Sequence, residues 1–328
     1  PTPVPVDPPK PPRLVVLYVL DALRADHVGG RGFSPVLDRL AAEGVGFTDY
    51  ATIAPSTMTS TKALFSGRIF LDRGGLPPDV ETLAEVMRSA GYRTLGVSGN
   101  GHVSDKYGLA RGFDEFAVVY PMARRADPLT YVNRNAADIH RRGLELVDGT
   151  SPDEPAFLYL HTVHPHTPYA PPHELVREMC GGIESSIDGM SPTLIAIRDD
   201  EAGLSDADRE RLRCLYAASV AYNDARIGEL AAELAERYPR HETLFIVTSD
   251  HGEEFFDHGG VLHGHTLSDE LLRVPLILHW PGRLEPSEFS LPIDTFDLHE
   301  TLRALVGAPA SSADAEGRSL WGVILGGD

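Results

Sequence analysis

The stretch Leu244-Phe245-Ile246-Val247-Thr248-Ser249-Asp250-His251-Gly252 holds an Asp-His pair placed to do chemistry. Five apolar or β-branched residues predict a buried strand, and Gly252 breaks it just past two good metal ligands. In open α/β sheets ligands sit outside the carboxyl ends of the strands, so a pair delivered there is aimed at a metal or a substrate. Taken alone, the segment also fits an Asp capping the next turn beside a surface His.

Two further apolar runs end in the same way. Residues 14–20 read as a central parallel strand ending at Asp21, and residues 156–160 as another ending at His161. In a parallel sheet those ends share one edge, so Asp21, His161 and Asp250-His251 converge from distant parts of the chain. Ten residues after Gly252 come His263-Gly264-His265, returned by a glycine-rich loop. Of 14 histidines, His251, His258, His263 and His265 fall within one 15-residue window, a density that favours metal binding over surface placement.

The elements that must hold these residues alternate between strand and helix. Ser34-Pro35 offers an N-cap and a proline at the first helical position, and residues 36–43 carry helical periodicity up to Gly44. A short strand is expected at residues 45–47, then a helix starting near residues 57–60 and running to Ser66-Gly67. Thr57 then sits at a helix N-terminus, where backbone N–H groups favour an anion. Further helices are expected over residues 81–90, about 129–146, 206–236 and 298–305, with strands at 93–97 and 274–279. This alternation predicts an α/β fold with a mostly parallel sheet covered on both faces. Residues 121–128 and 181–206 read as irregular insertions that shape access to the site.

Composition narrows the function. At 328 residues, with 42% hydrophobic and 23% charged residues, the chain suits one large globular domain. Lys+Arg 29 against Asp+Glu 48 gives a formal net charge of −19, which opposes binding to nucleic acid or an anionic membrane. A phosphate or sulfate ester would need a local positive centre, such as a metal. Cys180 and Cys214 are too few for a disulfide framework and are expected to be buried or incidental thiols. Residues 1–12 are proline-rich and read as an extended linker, leaving residues 13–328 as a single domain. No run of 18 apolar residues occurs, and a start at Pro1 leads us to expect an upstream signal or membrane anchor outside this chain.

The order Leu20-Asp21-Ala22-Leu23-Arg24-Ala25-Asp26-His27, then Pro35-Val36-Leu37-Asp38-Arg39-Leu40-Ala41-Ala42-Glu43-Gly44-Val45, resembles the opening of the sulfatase branch of the alkaline phosphatase superfamily. The resemblance continues at His166-Thr167-Pro168-Tyr169, Thr248-Ser249-Asp250-His251-Gly252-Glu253, Val274-Pro275-Leu276-Ile277, Pro281-Gly282 and Gly317-Arg318-Ser319-Leu320. It implies an alkaline-phosphatase-like three-layer sandwich with the site at the carboxyl edge of the sheet. The large C-terminal subdomain of bigger sulfatases is expected to be absent.

The resemblance also assigns roles. The nucleophile of this group lies ten residues before the glycine of a Leu-x-Thr-Gly ending, and counting back from Gly67 reaches Thr57. Sulfatases have Cys or Ser there, which a maturase converts to formylglycine, and threonine cannot become that aldehyde. Thr57 therefore resembles the nucleophile of the phosphotransferring relatives, the phosphoethanolamine and phosphoglycerol transferases and some phosphodiesterases. Ser56 is the alternative, in the wrong register. A threonine hydroxyl is a poor nucleophile at neutral pH and needs a metal to stabilise its alkoxide. Asp21, Asp250 and His251, with Thr57 itself, make a mixed O/N ligand set that suits zinc or manganese better than calcium. Ala22 stands where many sulfatases have a second Asp, which weakens calcium further. One or two ions are expected.

His161, His166 and His263 are then candidates to bind the non-bridging oxygens, hold a second metal or protonate the leaving oxygen, with structural hydrogen bonding as the alternative for each. Arg24 and Lys62 read as structural ion pairs, Asp26 and Glu253 as supporting or capping groups, and Thr52 and Thr59 as structural hydroxyls. The expected activity is metal-dependent hydrolysis or transfer of a phosphoester or phosphodiester through a phosphothreonine at Thr57. The substrate class is a small anionic ester, free or attached to lipid or glycan, met in an extracytoplasmic compartment. A sulfuric-ester hydrolase working without formylglycine and a non-catalytic metal-binding domain are the alternatives.

Overall fold

A computed structural model describes residues 8–119, 135–151, 153–199, 203–311 and 316–326. Its strands are β1 (Leu14–Asp21), β2 (Val45–Phe47), β3 (Tyr50–Ala51), β4 (Arg93–Ser98), β5 (Glu115–Val118), β6 (Ala156–Pro165), β7 (Thr243–Ser249), β8 (Glu254–Phe255), β9 (Val261–Leu262), β10 (Leu276–His279), β11 (Ser287–Phe289) and β12 (Ile293–Asp294). The helices that matter below are α1 (Pro35–Ala42), α2 (Thr57–Ser66), α3 (Leu83–Ser89), α4 (Asn135–Asp148), α5 (His173–Cys180), α6 (Ser191–Asp199), α7 (Asp206–Arg237), α8 (Asp269–Leu272) and α9 (Thr295–Leu305).

Eight strands form one sheet in the order β11-β2-β10-β7-β1-β6-β4-β5. β1 pairs in parallel with both β6 and β7, and β4 continues the parallel run to β5. Only β10 runs antiparallel to its neighbours β7 and β2. The centre of the sheet reads as unbroken apolar sequence because it is covered on both sides. Leu14, Val16, Tyr18 and Leu20 enter one core with residues of α1, α4 and α7, and Val15, Leu17 and Val19 enter the other with residues of α2, α3 and α9. The result is the three-layer α/β sandwich.

Local chemistry sets the helix boundaries. Pro35 occupies the start of α1, and capping boxes pair Thr82 with Glu85 at α3 and Ser205 with Asp208 at the 32-residue α7. α2 ends at Gly67, whose φ of 64° supplies the left-handed C-cap. Among the described residues no helix is long and apolar enough to cross a membrane.

Several expectations need correction. β6 does not stop at His161 but runs on to Pro165, so His161 lies within the strand. The stretch expected to be irregular over 181–206 contains α6, which packs Leu194 and Ile197 inward. Cys180 and Cys214 are not thiols: they form a disulfide with Sγ–Sγ 1.98 Å that ties the end of α5 to α7. Two cysteines are too few for a framework but enough for one staple, and folding brings their Cα atoms to 5.9 Å. Residues 1–7 of the proline tract, the insertion at 121–128 and the beginning of the helix expected from about 129 lie outside the described residues.

Candidate active site

Strand alternation decides which side chains meet. Val19 lies level with His161 in β6 and with Thr248 in β7. Side chains of one parity share a face, so His161, Asp21 and Asp250 project to the side that carries α2. Asp21, His161 and Asp250 bring ligand atoms within 4.8 Å of one another. His161 Nε2 lies 3.7 Å from Asp21 Oδ2 and 3.8 Å from Asp250 Oδ2. His251 Nε2 joins them, 3.5 Å from Asp21 Oδ1 and 3.7 Å from Asp250 Oδ2. Sequence reading grouped His161 with the substrate-contacting histidines, whereas the fold sets it among the buried carboxylates.

Surrounding hydrogen bonds fix each group and leave one atom of each free. Asp250 Oδ1 accepts the amides of Ala22 and His251, while its Oδ2 has no partner. Asp21 Oδ2 accepts Asn100 Nδ2 at 2.6 Å, leaving Oδ1 without one. His161 Nδ1 meets the Tyr159 hydroxyl at 2.8 Å and its Nε2 is unpartnered. His251 Nδ1 donates to the Gly252 carbonyl at 2.8 Å, so in the neutral ring Nε2 carries the lone pair. Buried polar atoms are rarely left unpaired, and three orphans of matched chemistry at one point are what a divalent cation satisfies. Burial works against ionisation of Asp21, but the neighbouring imidazoles of His166, His161 and His251 hold its carboxyl well below the usual range.

Gly252 is required by close approach: a Cβ there would lie 1.9 Å from the Glu270 carbonyl, so the chain can turn after His251 only as glycine. Ala22, after Asp21, adopts φ 64°, and Leu262, before His263, adopts φ 71°. Non-glycine residues in the left-handed region cost of order 1 kcal/mol, and here both flank candidate site residues.

Thr57 opens α2 directly above this floor, 7% exposed, with Oγ1 3.3 Å from His251 Nε2. Ser56 occupies the N-cap without capping the helix through its side chain. A cavity of about 400 Å³ opens here, lined by Ser56, Thr57, Asn100, His102, His166 and His263 among others. His166 donates Nδ1–H to the Thr167 carbonyl at 2.6 Å. His263 Nδ1 meets Glu253 Oε1 at 2.8 Å, and its ring stands 4.2 Å from His251 and 4.9 Å from His166 between centroids. Burial resists ionisation of Glu253, yet the neighbouring His263, His166 and His251 hold its carboxyl below the usual range.

Other residues fall where structural roles place them. Arg24 pairs with Asp26 and Asp257, and Lys62 Nζ donates to the Asp72 and Gly74 carbonyls. The Thr52 hydroxyl donates to Ser60 Oγ. Asn100 and His102 went unnoticed in the sequence, although β4 ends in Ser98-Gly99-Asn100 and so repeats the signal that marked Asp21.

The mostly parallel sheet with helices on both faces is an α/β fold of the alkaline-phosphatase-like type. The chain belongs to the sulfatase family: the profile described as Sulfatase matches residues 13–308. Proteins of that family bind a divalent metal. Human arylsulfatase A is 26% identical over 97% of this chain and 68% of its own length, and mouse N-acetylgalactosamine-6-sulfatase is 26% identical over 97% and 67%. Mouse arylsulfatase G, 24% identical, is matched over 64% of its length. A solved structure in complex with D-glucosamine-2-N,6-O-disulfate superposes with TM-score 0.78 at 16% identity, covering 96% of this chain and 80% of that one. The phosphonate monoester hydrolase of Agrobacterium radiobacter gives TM-score 0.76 at 19% identity over 97% and 78%. At such identities the likeness of the two solved structures is one of fold.

Proposed function

We propose that this chain is a metal-dependent hydrolase or transferase of phosphoesters or phosphodiesters with Thr57 as nucleophile. The observation that carries the reading is the placement of Thr57 Oγ1 at the start of α2, 3.3 Å from His251 Nε2 and above the orphaned atoms of Asp21, His161 and Asp250. Asp21, Asp250 and His251 would hold the cation together with Thr57, and His161 would join them as a fifth protein side chain. Two carboxylates and two imidazoles favour zinc or manganese over calcium. When bound, the ion supplies the positive charge that makes a threonine hydroxyl nucleophilic and neutralises the phosphoryl group.

Thr57 Oγ, its hydroxyl proton released to solvent, attacks phosphorus in line, forming the Oγ–P bond as the bond to the leaving oxygen breaks. The open N-terminus of α2 contributes amides toward a non-bridging oxygen. Glu253 fixes Nδ1 of His263, leaving Nε2 to face the ester, and the Thr167 carbonyl does the same for His166. One of these two histidines protonates the leaving oxygen. Water, or an acceptor alcohol in a transferase, then gives a proton back to that histidine and forms the new O–P bond as the Oγ–P bond breaks, and Thr57 regains its proton from solvent.

The substrate is a small anionic ester, free or carried on a glycan or lipid, and the disulfide fits an extracytoplasmic compartment. A sulfuric-ester hydrolase is the second reading, favoured by the arylsulfatase names of the relatives. Parallel turnover of aryl phosphodiester, phosphomonoester and sulfate substrates separates the two. Phosphoester preference with loss of turnover in Thr57→Ala, and a phosphate adduct on Thr57 by mass spectrometry, is expected. Predominant sulfate turnover that survives Thr57→Ala overturns the proposal.

A further inference from the structure

The loop beyond Gly252 gathers a second set of ligand-type side chains that takes no part in the pocket. Glu254, His258 and Glu270 each bring a ligand atom within 4.8 Å of the others. His258 Nδ1 lies 2.6 Å from Glu270 Oε1, and His265 Nε2 lies 2.6 Å from Glu254 Oε2. The Glu254 and Glu270 side chains are 1% and 8% exposed, and each has only a histidine as ion-pair partner among the described residues. Buried carboxylates are costly unless a cation sits beside them.

The backbone prepares the group. Amides of His258 and Gly260 occupy Glu254 Oε1 at 3.0 and 3.1 Å, leaving Oε2 to His265 at 2.6 Å. A Cβ on Gly260 would sit 3.1 Å from His265 Nε2 and 3.2 Å from Glu254 Oε2, so glycine keeps that flank clear.

We propose that Glu254, His258 and Glu270 form a second divalent-cation site, apart from the Asp21–Asp250 floor, that takes an ion of the zinc type, with His265 holding Glu254 from the side. One imidazole nitrogen and two carboxylate oxygens make a three-ligand set of the kind zinc accepts, with water in the fourth position. The site clamps the β8–β9 hairpin to the start of α8. His263 lies between Leu262 of β9 and His265, and its partner Glu253 precedes Glu254, so the clamp fixes the loop that presents this histidine. The binding claim stands whatever chemistry Thr57 performs.

The test uses Asp250→Asn protein, in which the pocket floor has lost a carboxylate, stripped with chelator and titrated with Co(II). It should retain a tight equivalent with a tetrahedral absorption spectrum. Adding His258→Ala or Glu270→Gln should weaken that equivalent at least about tenfold, in keeping with the loss of a direct ligand. His258 has a side chain 60% exposed, so its removal leaves the fold intact, which circular dichroism checks. Hydrogen exchange at the His258 and Gly260 amides should slow with metal in the Asp250→Asn parent and not after His258→Ala. Absence of tight cobalt uptake by Asp250→Asn protein, or uptake whose affinity is unchanged by His258→Ala and by Glu270→Gln, overturns the proposal.

Discussion

Asp21, His161, Asp250 and His251 form a floor that is 0–3% exposed, whereas His166 and His263 stand at the rim on chain that has left the sheet. Floor residues are set by strand register and held by hydrogen bonds with Ala22, Asn100 and Tyr159. Rim residues depend on loops, on Glu253 and on the Thr167 carbonyl. The difference separates two jobs. A rigid buried floor suits a cation, whose ligands must hold their geometry, while a rim can follow the substrate through bond making and breaking.

Thr57 lies where floor meets rim, and its substitution should have the largest effect. Thr57→Ala is expected to lower kcat/KM by about 10⁴-fold or more while metal content stays near that of the parent, because the proposed ligands Asp21, Asp250, His251 and His161 remain. Thr57→Ser should recover part of the rate. Metal analysis beside steady-state kinetics checks both, and full activity in Thr57→Ala would erase the boundary drawn here.

At the rim, His263→Gln should cost about 10²–10⁴-fold in kcat with the metal retained. Glu253→Gln should cost less, since it removes only the partner of Nδ1. The Glu253 carboxylate is held below its ordinary range, so the stability it lends is present above about pH 4.3 and is lost as pH falls through the depressed value. Glu253→Gln should therefore make thermal stability less dependent on pH in that acidic window. A loss of metal on His263→Gln equal to that on Asp250→Asn would place this histidine with the floor.

His161→Gln probes the floor from its least expected member. It should weaken metal binding about 10–100-fold, measured by competition with a chelating dye, and raise activity again at high metal concentration. A kcat defect that no metal concentration repairs would return His161 to the rim.

Floor and rim were also unequally legible in the sequence. Asp21 and Asp250-His251 follow apolar runs whose burial forces strand structure, so both their element and their edge could be read directly. His161 was found by the same signal and converges with Asp21 and Asp250 as expected, but its role stayed open, because the continuation of β6 through Thr162 to Pro165 has no clean pattern and only pairing with β1 reveals which way the ring faces. Asn100 and His102 were missed since β4 hands them to a loop whose path is decided by tertiary contacts. The short edge strands β5 and β11 likewise lack the apolar run that a covered strand needs. Pairing of Cys180 with Cys214 depends on α5 meeting α7, which no local pattern encodes.

That disulfide gives the smallest expected effect on activity and the most selective one. It staples α5, the helix that follows the His166-Thr167-Pro168 segment, to α7, and it touches nothing on the floor. Closing a loop of 34 residues is worth about 3–4 kcal/mol of stability in the chain-entropy picture, so Cys180→Ser with Cys214→Ser should lower Tm clearly. Loosening of the rim should raise KM only a few-fold, and metal affinity should not change, because Asp21, His161, Asp250 and His251 are fixed by the sheet rather than by α5. Isothermal titration with the metal beside Michaelis–Menten analysis reads the two halves separately. Metal affinity falling in step with KM would show that floor and rim are one mechanical unit.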